Sequence, residues 1–231
     1  MLESLLKRML FRRASVSSIK PISPLFRLID LEGEELRNVA WIPGQHIRVA
    51  VGAGMKLRTY TPMSWDAEKG RTQILVFLHG DGPGCRWARE AKEGDACQFM
   101  GPSRSLTLPS LEKPLALFGD ETCFGLALAI QNALQENGTK YFFEVSNPTE
   151  SRQALQAIGI PGVTLIERVD DGRFLSVTQK MSRLMSDGYQ CALAGNALSI
   201  KRFKVALKDI GTRSLSVSVK PYWAPGKTGL D

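Results

Sequence analysis

No CxxC pair, Walker loop, HExxH, GxSxG or GxGxxG occurs in this sequence, and each absence removes a class of function. The four cysteines, Cys85, Cys97, Cys123 and Cys191, are widely scattered. That spacing excludes a zinc knuckle, an iron–sulfur centre and a dense disulfide framework, and the expectation is of no metal site. Three of them lie beside apolar runs, as buried small side chains do. No apolar run is long enough to span a bilayer. The opening MLESLLKRMLFRR is charged where a signal peptide needs its apolar stretch, and no small-residue cleavage site follows. Its apolar residues share one helical face with Lys7, Arg8, Arg12 and Arg13 outside, which predicts an amphipathic helix packed on a cytoplasmic protein. Repeats, low-complexity tracts and long linkers are missing as well.

What is present is a chain of 231 residues, 43% hydrophobic, enough for one large domain or two small ones. Its formal charge of +7 favours an anionic partner: phosphate, acidic protein, nucleic acid or an anionic chelate. From about residue 15 to 108 the text reads as short strands (SVSSIKPIS, LFRLIDLEG, HIRVAVG, LRTYTPMSW, RTQILVFL, ACQFMG) between turns, with helical character only near 84–92. Many short antiparallel strands close economically into a small barrel. From about 111 the period lengthens. Strands PLALFG, YFFEVSN, VTLIERV, YQCALAG and LSVSVKP alternate with helices over ETCFGLALAIQNALQENG, SRQALQAIG, TQKMSRLMSDG and ALSIKRFKVALKDIG. Alternation of this kind predicts a parallel α/β sheet covered on both sides. The expected domains are therefore 15–110, a β-barrel, and 111–231, an α/β domain whose ligands meet the carboxyl ends of its strands at GDET, SNPTE and AGNA.

Three stretches carry candidate chemistry. In RTYT (58–61), strand alternation sends Arg58 and Tyr60 to one face and Thr59 and Thr61 to the other. An Arg beside an aromatic can pair a phosphate next to a ring that stacks on something flat, although an ordinary half-exposed strand reads the same way. In HGDGPGCRW (79–87), glycines let the backbone approach a ligand, and the following short helix offers its N–H groups to phosphate oxygens. Asp81 opposes an anion there unless its side chain caps the helix or turns outward. In GDETCFG (119–125), Asp120 and Glu121 repel phosphates and suit a helix N-terminus, so dinucleotide binding at this turn is expected to be weak.

RTYT, then FLHGDGPGCRWAREAKEGD, GPSRS, GDET, AGNA and a terminal YWAPG resemble, in order from about 15 to 226, the siderophore-interacting, FAD-containing ferric-chelate reductases, a branch of the ferredoxin-reductase-like flavoproteins. The resemblance implies a two-domain fold, an N-terminal antiparallel FAD-binding barrel and a C-terminal α/β domain meeting NADPH or NADH, or served by a ferredoxin. It implies Arg58 at the FAD phosphate, Tyr60 on the isoalloxazine, Thr61 near its N5, and His79 and Gly80 at the flavin. Gly82, Pro83, Gly84, Cys85 and Trp87 then close over the phosphate and adenine side, while Asp120, Glu121, Thr122 and Trp223 match the family's C-terminal motifs. Two positions depart from it. Cys85 replaces a usual Ser, removing a hydroxyl donor, so Cys85→Ser is expected to keep or tighten FAD binding. Asn196 replaces a usual Glu, removing a negative charge from the expected ligand cleft.

The implied activity is reduction of a ferric siderophore or other ferric chelate to release Fe(II), in the service of iron homeostasis, by a cytoplasmic monomer. FAD bridges a two-electron donor and a one-electron acceptor, so no side chain is expected as acid or base, and His79 is expected to position the flavin. A basic pocket between the domains, drawing on Lys201, Arg202, Lys220 and Lys227, is expected to take the anionic chelate. Arg152, with no acidic residue ending YFFEVSN, favours NADPH. Two alternatives remain: a general NAD(P)H flavin oxidoreductase or electron-transfer component, and a non-catalytic module for an anionic ligand or RNA. Nucleic-acid binding is disfavoured because the aromatics follow strand patterns rather than a basic stripe.

Overall fold

Buried residues on every second position, as in Ile47 and Val49 or Ile74 and Val76, give the first half of the chain strands with one buried face. The computed structural model describes residues 10–52, 56–104, 106, 112–134, 138–168, 170–211 and 217–227; residues 1–9 of the expected amphipathic helix lie outside them. Two compact units emerge, Met1–Ser105 and Leu106–Asp231.

The first unit holds β1 (Arg12–Ser23), β2 (Phe26–Glu32), β3 (His46–Ala50), β4 (Leu57–Tyr60), β5 (Pro62–Asp66), β6 (Arg71–Phe77) and β7 (Ala96–Ser103), with the helix α1 (Pro83–Glu90) between β6 and β7. They form one antiparallel sheet in the order β4-β3-β7-β1-β2-β6-β5. LRTYTPMSW is two strands, not one. β4 and β5 are the outermost strands of this order, yet Thr61 alone separates them in sequence. Only a sheet curled upon itself allows that, so Thr61 stands at the seam of a barrel-like unit and is buried there. Inside lie Val16, Ile29, Leu31, Ile47, Val49, Ile74 and Phe99.

Arg12 and Arg13 correct the expected leading helix. Both belong to β1, where Arg12 opposes Phe99 of β7 and donates to the Gly101 and Glu35 carbonyls at 3.0 Å. Ladder hydrogen bonds outweigh a helical period carried only by the residues before them. The LEGEE turn closes as a short 3-10 segment, Glu34–Leu36, whose Leu36 enters the core.

In the second unit, β8 (Leu115–Asp120), β9 (Thr139–Val145), β10 (Thr164–Glu167), β11 (Gln190–Asn196) and β12 (Val217–Trp223) make a parallel sheet ordered β10-β9-β8-β11-β12. The helices α2 (Phe124–Leu134), α3 (Pro148–Ala157), α4 (Asp171–Ser186) and α5 (Ala197–Asp209) alternate with its strands. The two-part architecture read from the change of period is the one observed. α4 starts well before TQKMSRLMSDG because Asp170 caps it, its carboxylate accepting from the Arg173 N–H at 2.8 Å. Strand order reverses between β8 and β11, which is where open α/β sheets leave a crevice. No helix among the described residues is long and apolar enough to cross a membrane.

Candidate functional site

Arg58 and Tyr60 lie on one face of β4, in register with the core residues Val49 and Ile47 of β3. Gly84 of α1 packs directly on them: a Cβ at Gly84 would fall 2.8 Å from the Tyr60 hydroxyl and 3.0 Å from Arg58 Cγ. RTYT and the glycine-rich junction are thus one site, and Gly84 is the residue that lets them meet. Burial pushes the Tyr60 hydroxyl up, keeping it a donor. The Tyr60 and Trp87 rings lie 6.0 Å apart, tilted.

Above them α1 begins without a side-chain cap on Gly82, and Arg86 N–H makes the first turn's bond to the Gly82 carbonyl at 3.0 Å. The N–H groups of Gly84 and Cys85 precede it and can donate to an anion. Gly80 and Gly82 border open space, with no protein atom within 4 Å of a Cβ built on either. Asp81 turns outward. Its carboxylate pairs with Arg89 at 2.9 Å, and Arg86 donates to its carbonyl, so its charge is drawn along the exposed side of α1. Exposed His79 tilts its ring against Phe77, 5.4 Å between centroids. Beside the helix a cavity of about 400 Å³ is lined by Lys56, Pro83, Arg86, Trp87 and Glu90, among others. A slightly larger one, about 430 Å³, lies over β1, β2, β5 and β6 and is floored by cross-strand pairs such as Asp30–Gln73 and Glu32–Arg71. It contains none of the residues above.

Cys85 does not face the open side. Its thiol is 5% exposed and aims at the Phe77 carbonyl 3.8 Å away, within the core. Cys85→Ser should leave FAD affinity within about twofold and cost about 1 kcal/mol, because the shorter hydroxyl is buried far from its acceptor. Flavin titration and thermal unfolding check this; a clear change in affinity would put the side chain on the ligand side.

At the carboxyl ends of the parallel strands the polar groups satisfy one another. Asp120, 1% exposed, accepts from Asn196 N–H and Trp223 Nε1, both at 2.7 Å, and from Thr122 N–H at 2.9 Å. Burial pushes its carboxyl up, against the Thr122 and Trp223 hydrogen bonds. Glu121 accepts from Ser146 N–H at 2.5 Å and Oγ at 2.6 Å, and pairs with Arg168 at 2.7 Å. Asp120 caps the short helical turn that follows it, as its type suggested, and the side chains of Asp120 and Glu121 also stitch β8 to the segments ending β9, β10, β11 and β12. Asn196 is likewise buried; its Oδ1 caps α5 through the Leu198 N–H. Arg168 was missed by sequence reasoning, the only hint being a basic residue near the end of the apolar VTLIERV, while Ser146 opens the SNPTE strand end but was not singled out.

The four basic residues assigned to a chelate separate by environment. Lys201 and Lys227 are exposed and Lys220 is half-buried on β12. Arg202 is engaged elsewhere: its guanidinium lies 3.8 Å over the Phe174 ring, pairs with Asp171 and approaches buried Glu144 at 4.0 Å. It pins α5 to α4. Arg152 is exposed on α3. Among the described residues no cluster of three or more His, Cys, Asp or Glu side chains could hold a metal ion.

Residues 52–106 match the family model of the siderophore-interacting FAD-binding domain. The chain is similar to the solved structure of a siderophore utilization protein from T. fusca, at 23% identity and TM-score 0.73, covering 96% of this chain and 95% of that one. It is also similar to a ferredoxin reductase in carbazole 1,9a-dioxygenase, at 16% identity and TM-score 0.75, over 92% of this chain and 69% of that one. Among curated proteins, the toluate 1,2-dioxygenase electron transfer component of Pseudomonas putida is 22% identical over 56% of this chain and 38% of its own length. The chain thus spans under two fifths of the curated relatives it matches.

Proposed function

We propose that this chain, whose residues 52–106 carry the siderophore-interacting FAD-binding domain on a ferredoxin-reductase-like fold, is an FAD-dependent reductase of ferric siderophores or other ferric chelates. The observation that carries the reading is the packing of Gly84 on Arg58 and Tyr60 beneath the uncapped start of α1. A flavin dinucleotide fits these residues. Tyr60 offers a ring face, Thr61 a hydroxyl at the seam and Arg58 a cation for one phosphate. The N–H groups of Gly84 and Cys85 suit the other phosphate, and Trp87, Arg86 and Lys56 help wall the cavity of about 400 Å³, which has room for an adenine. FAD bound there would take two electrons from a nicotinamide and deliver them singly to Fe(III).

The protein's part is then to orient and to attract. His79 stands at the flavin end of the junction and needs no proton-transfer role. Lys201, Lys220 and Lys227 raise the local concentration of an anionic chelate. Arg152 favours NADPH through a 2′-phosphate. A second reading, an NAD(P)H-dependent electron-transfer component without chelate selectivity, is supported by the likeness to the toluate dioxygenase component.

Purified protein should be yellow and, with NADPH, release Fe(II) from a catecholate, hydroxamate or citrate complex faster than it reduces a neutral acceptor. Equal rates would favour the second reading, and a colourless protein unable to take up FAD would remove both. Lys220→Ala should raise KM for an anionic chelate roughly two- to fivefold, the effect of one partly exposed charge, and spare the neutral acceptor. An unchanged KM takes Lys220 out of the chelate site.

A further inference from the structure

An eight-residue helix is too short to persist by itself in water, so α1 keeps its position through contacts with the strands beneath it. Its buried side, Gly84, Cys85 and Ala88, supplies some of them. Its carboxyl end supplies another. Of the carbonyls that a helix leaves over in its last turn, that of Trp87 is taken by the Ala91 N–H at 2.9 Å. Those of Ala88 and Arg89 both accept from one guanidinium nitrogen, Nη1 of Arg27, each at 2.9 Å. A cation there also meets the negative end of the helix dipole.

Arg27 is well placed for the task. It lies within β2, paired with Val76 in the unbroken β2–β6 ladder on one side and with Pro21 of β1, next to a register shift, on the other. Sequence reading gave no reason to single it out, since its partners are some sixty positions away. Everything α1 presents to a ligand depends on where this end is held. Pro83, Arg86, Trp87 and Glu90 line the cavity of about 400 Å³, and the N–H groups of its first turn face the junction. Arg58 and Tyr60 touch α1 only at Gly84 near its amino end, and their backbone is fixed by the β3 ladder, which α1 does not join.

We propose that Arg27 is a positioning residue that holds α1 for the AMP half of the cofactor and so makes the site prefer FAD to FMN; this rests on the flavin reading above. The ring and first phosphate, common to both flavins, are served by Tyr60, Thr61 and Arg58. The second phosphate and adenine, present only in FAD, are served by α1. Loss of Arg27 therefore weakens one flavin and largely spares the other.

The test uses apoprotein of wild type, Arg27→Met, which keeps the apolar stem, and Arg27→Lys, which keeps the charge. Each is titrated with FAD and with FMN, and amide hydrogen exchange is followed in the same samples. Arg27→Met should raise Kd for FAD roughly tenfold, the effect of leaving two helix-end carbonyls without their charged donor, and change FMN affinity by less than about threefold. Arg27→Lys should recover most of the loss. Exchange should quicken in α1 but not in β3, β4 or β7. Unchanged FAD affinity in Arg27→Met overturns the proposal. So do equal losses for FAD and FMN with faster exchange throughout the sheet, which would make Arg27 a stabilising residue only. A wild type that binds neither flavin overturns the cofactor reading itself, a result visible before any variant is made.

Discussion

Gly84→Ala should bind FAD roughly ten- to hundredfold more weakly while its apoprotein unfolds at nearly the wild-type temperature. The added methyl would stand 2.8 Å from the Tyr60 hydroxyl and 3.0 Å from Arg58 Cγ, so both side chains must move. Overpacking of this kind costs about 1–3 kcal/mol, and each 1.4 kcal/mol is tenfold in Kd. Folding feels less of it, because Ala in a helix recovers about 1 kcal/mol over Gly. The affinity loss is specific because the displaced residues are the two assigned to the ring and first phosphate. Gly82→Ala is the companion measurement. Gly82 has an ordinary φ of −63° and open space around it, so a methyl there clashes with nothing and costs the apoprotein only the N-cap preference for Gly over Ala, roughly 1 kcal/mol or less. Its FAD affinity falls only if the ligand occupies that space. Normal FAD binding by both variants would move the cofactor away from this junction.

Glu121→Gln should lower the stability of the second unit by about 2–3 kcal/mol, a fall of roughly 5–10 °C in its unfolding temperature. Glu121 is 1% exposed at its side chain, and its two oxygens serve different partners, Ser146 on one and Arg168 on the other. A glutamine can accept at only one of them; its amide N–H₂ must then face a donor. Arg168, with 32% of its side chain exposed, recovers some water on losing its carboxylate, which is why the loss stays below that of a fully buried pair. FAD affinity should not change, since the assigned cofactor contacts lie in the first unit. Thermal unfolding and flavin titration of the same variant separate the cases. A normal unfolding temperature with weakened FAD binding would return Glu121 to the cofactor, as the family resemblance implied.

Element type and order were legible because their signals are local. Alternation along RTQILVFL and the apolar run YFFEVSN report which faces are buried without knowing by what. Ends were less legible. Asp170 starts α4 by one side-chain hydrogen bond, and the break at Thr61 follows from a sheet closing on itself, which no window of neighbouring residues contains. Charge was the least legible. Asp120, Glu121 and Arg202 are of the types that bind cofactors and chelates, and apart from the local Thr122 bond of Asp120 the groups they meet here lie 25 or more positions away.

By itself, the sequence determined that there are two kinds of sheet, in this order, and that an Arg–Tyr strand and an open, glycine-rich helix start are available for a phosphate-bearing flat ligand. Residue type and short spacing decide those matters, because backbone freedom and hydrogen-bonding capacity belong to the residue. Tertiary structure alone decided that the two stretches meet at Gly84, that the thiol of Cys85 turns inward, and that Arg27 holds the far end of α1. Those outcomes depend on which donors and acceptors are brought within about 3 Å when distant strands pair, a condition set by the whole ladder.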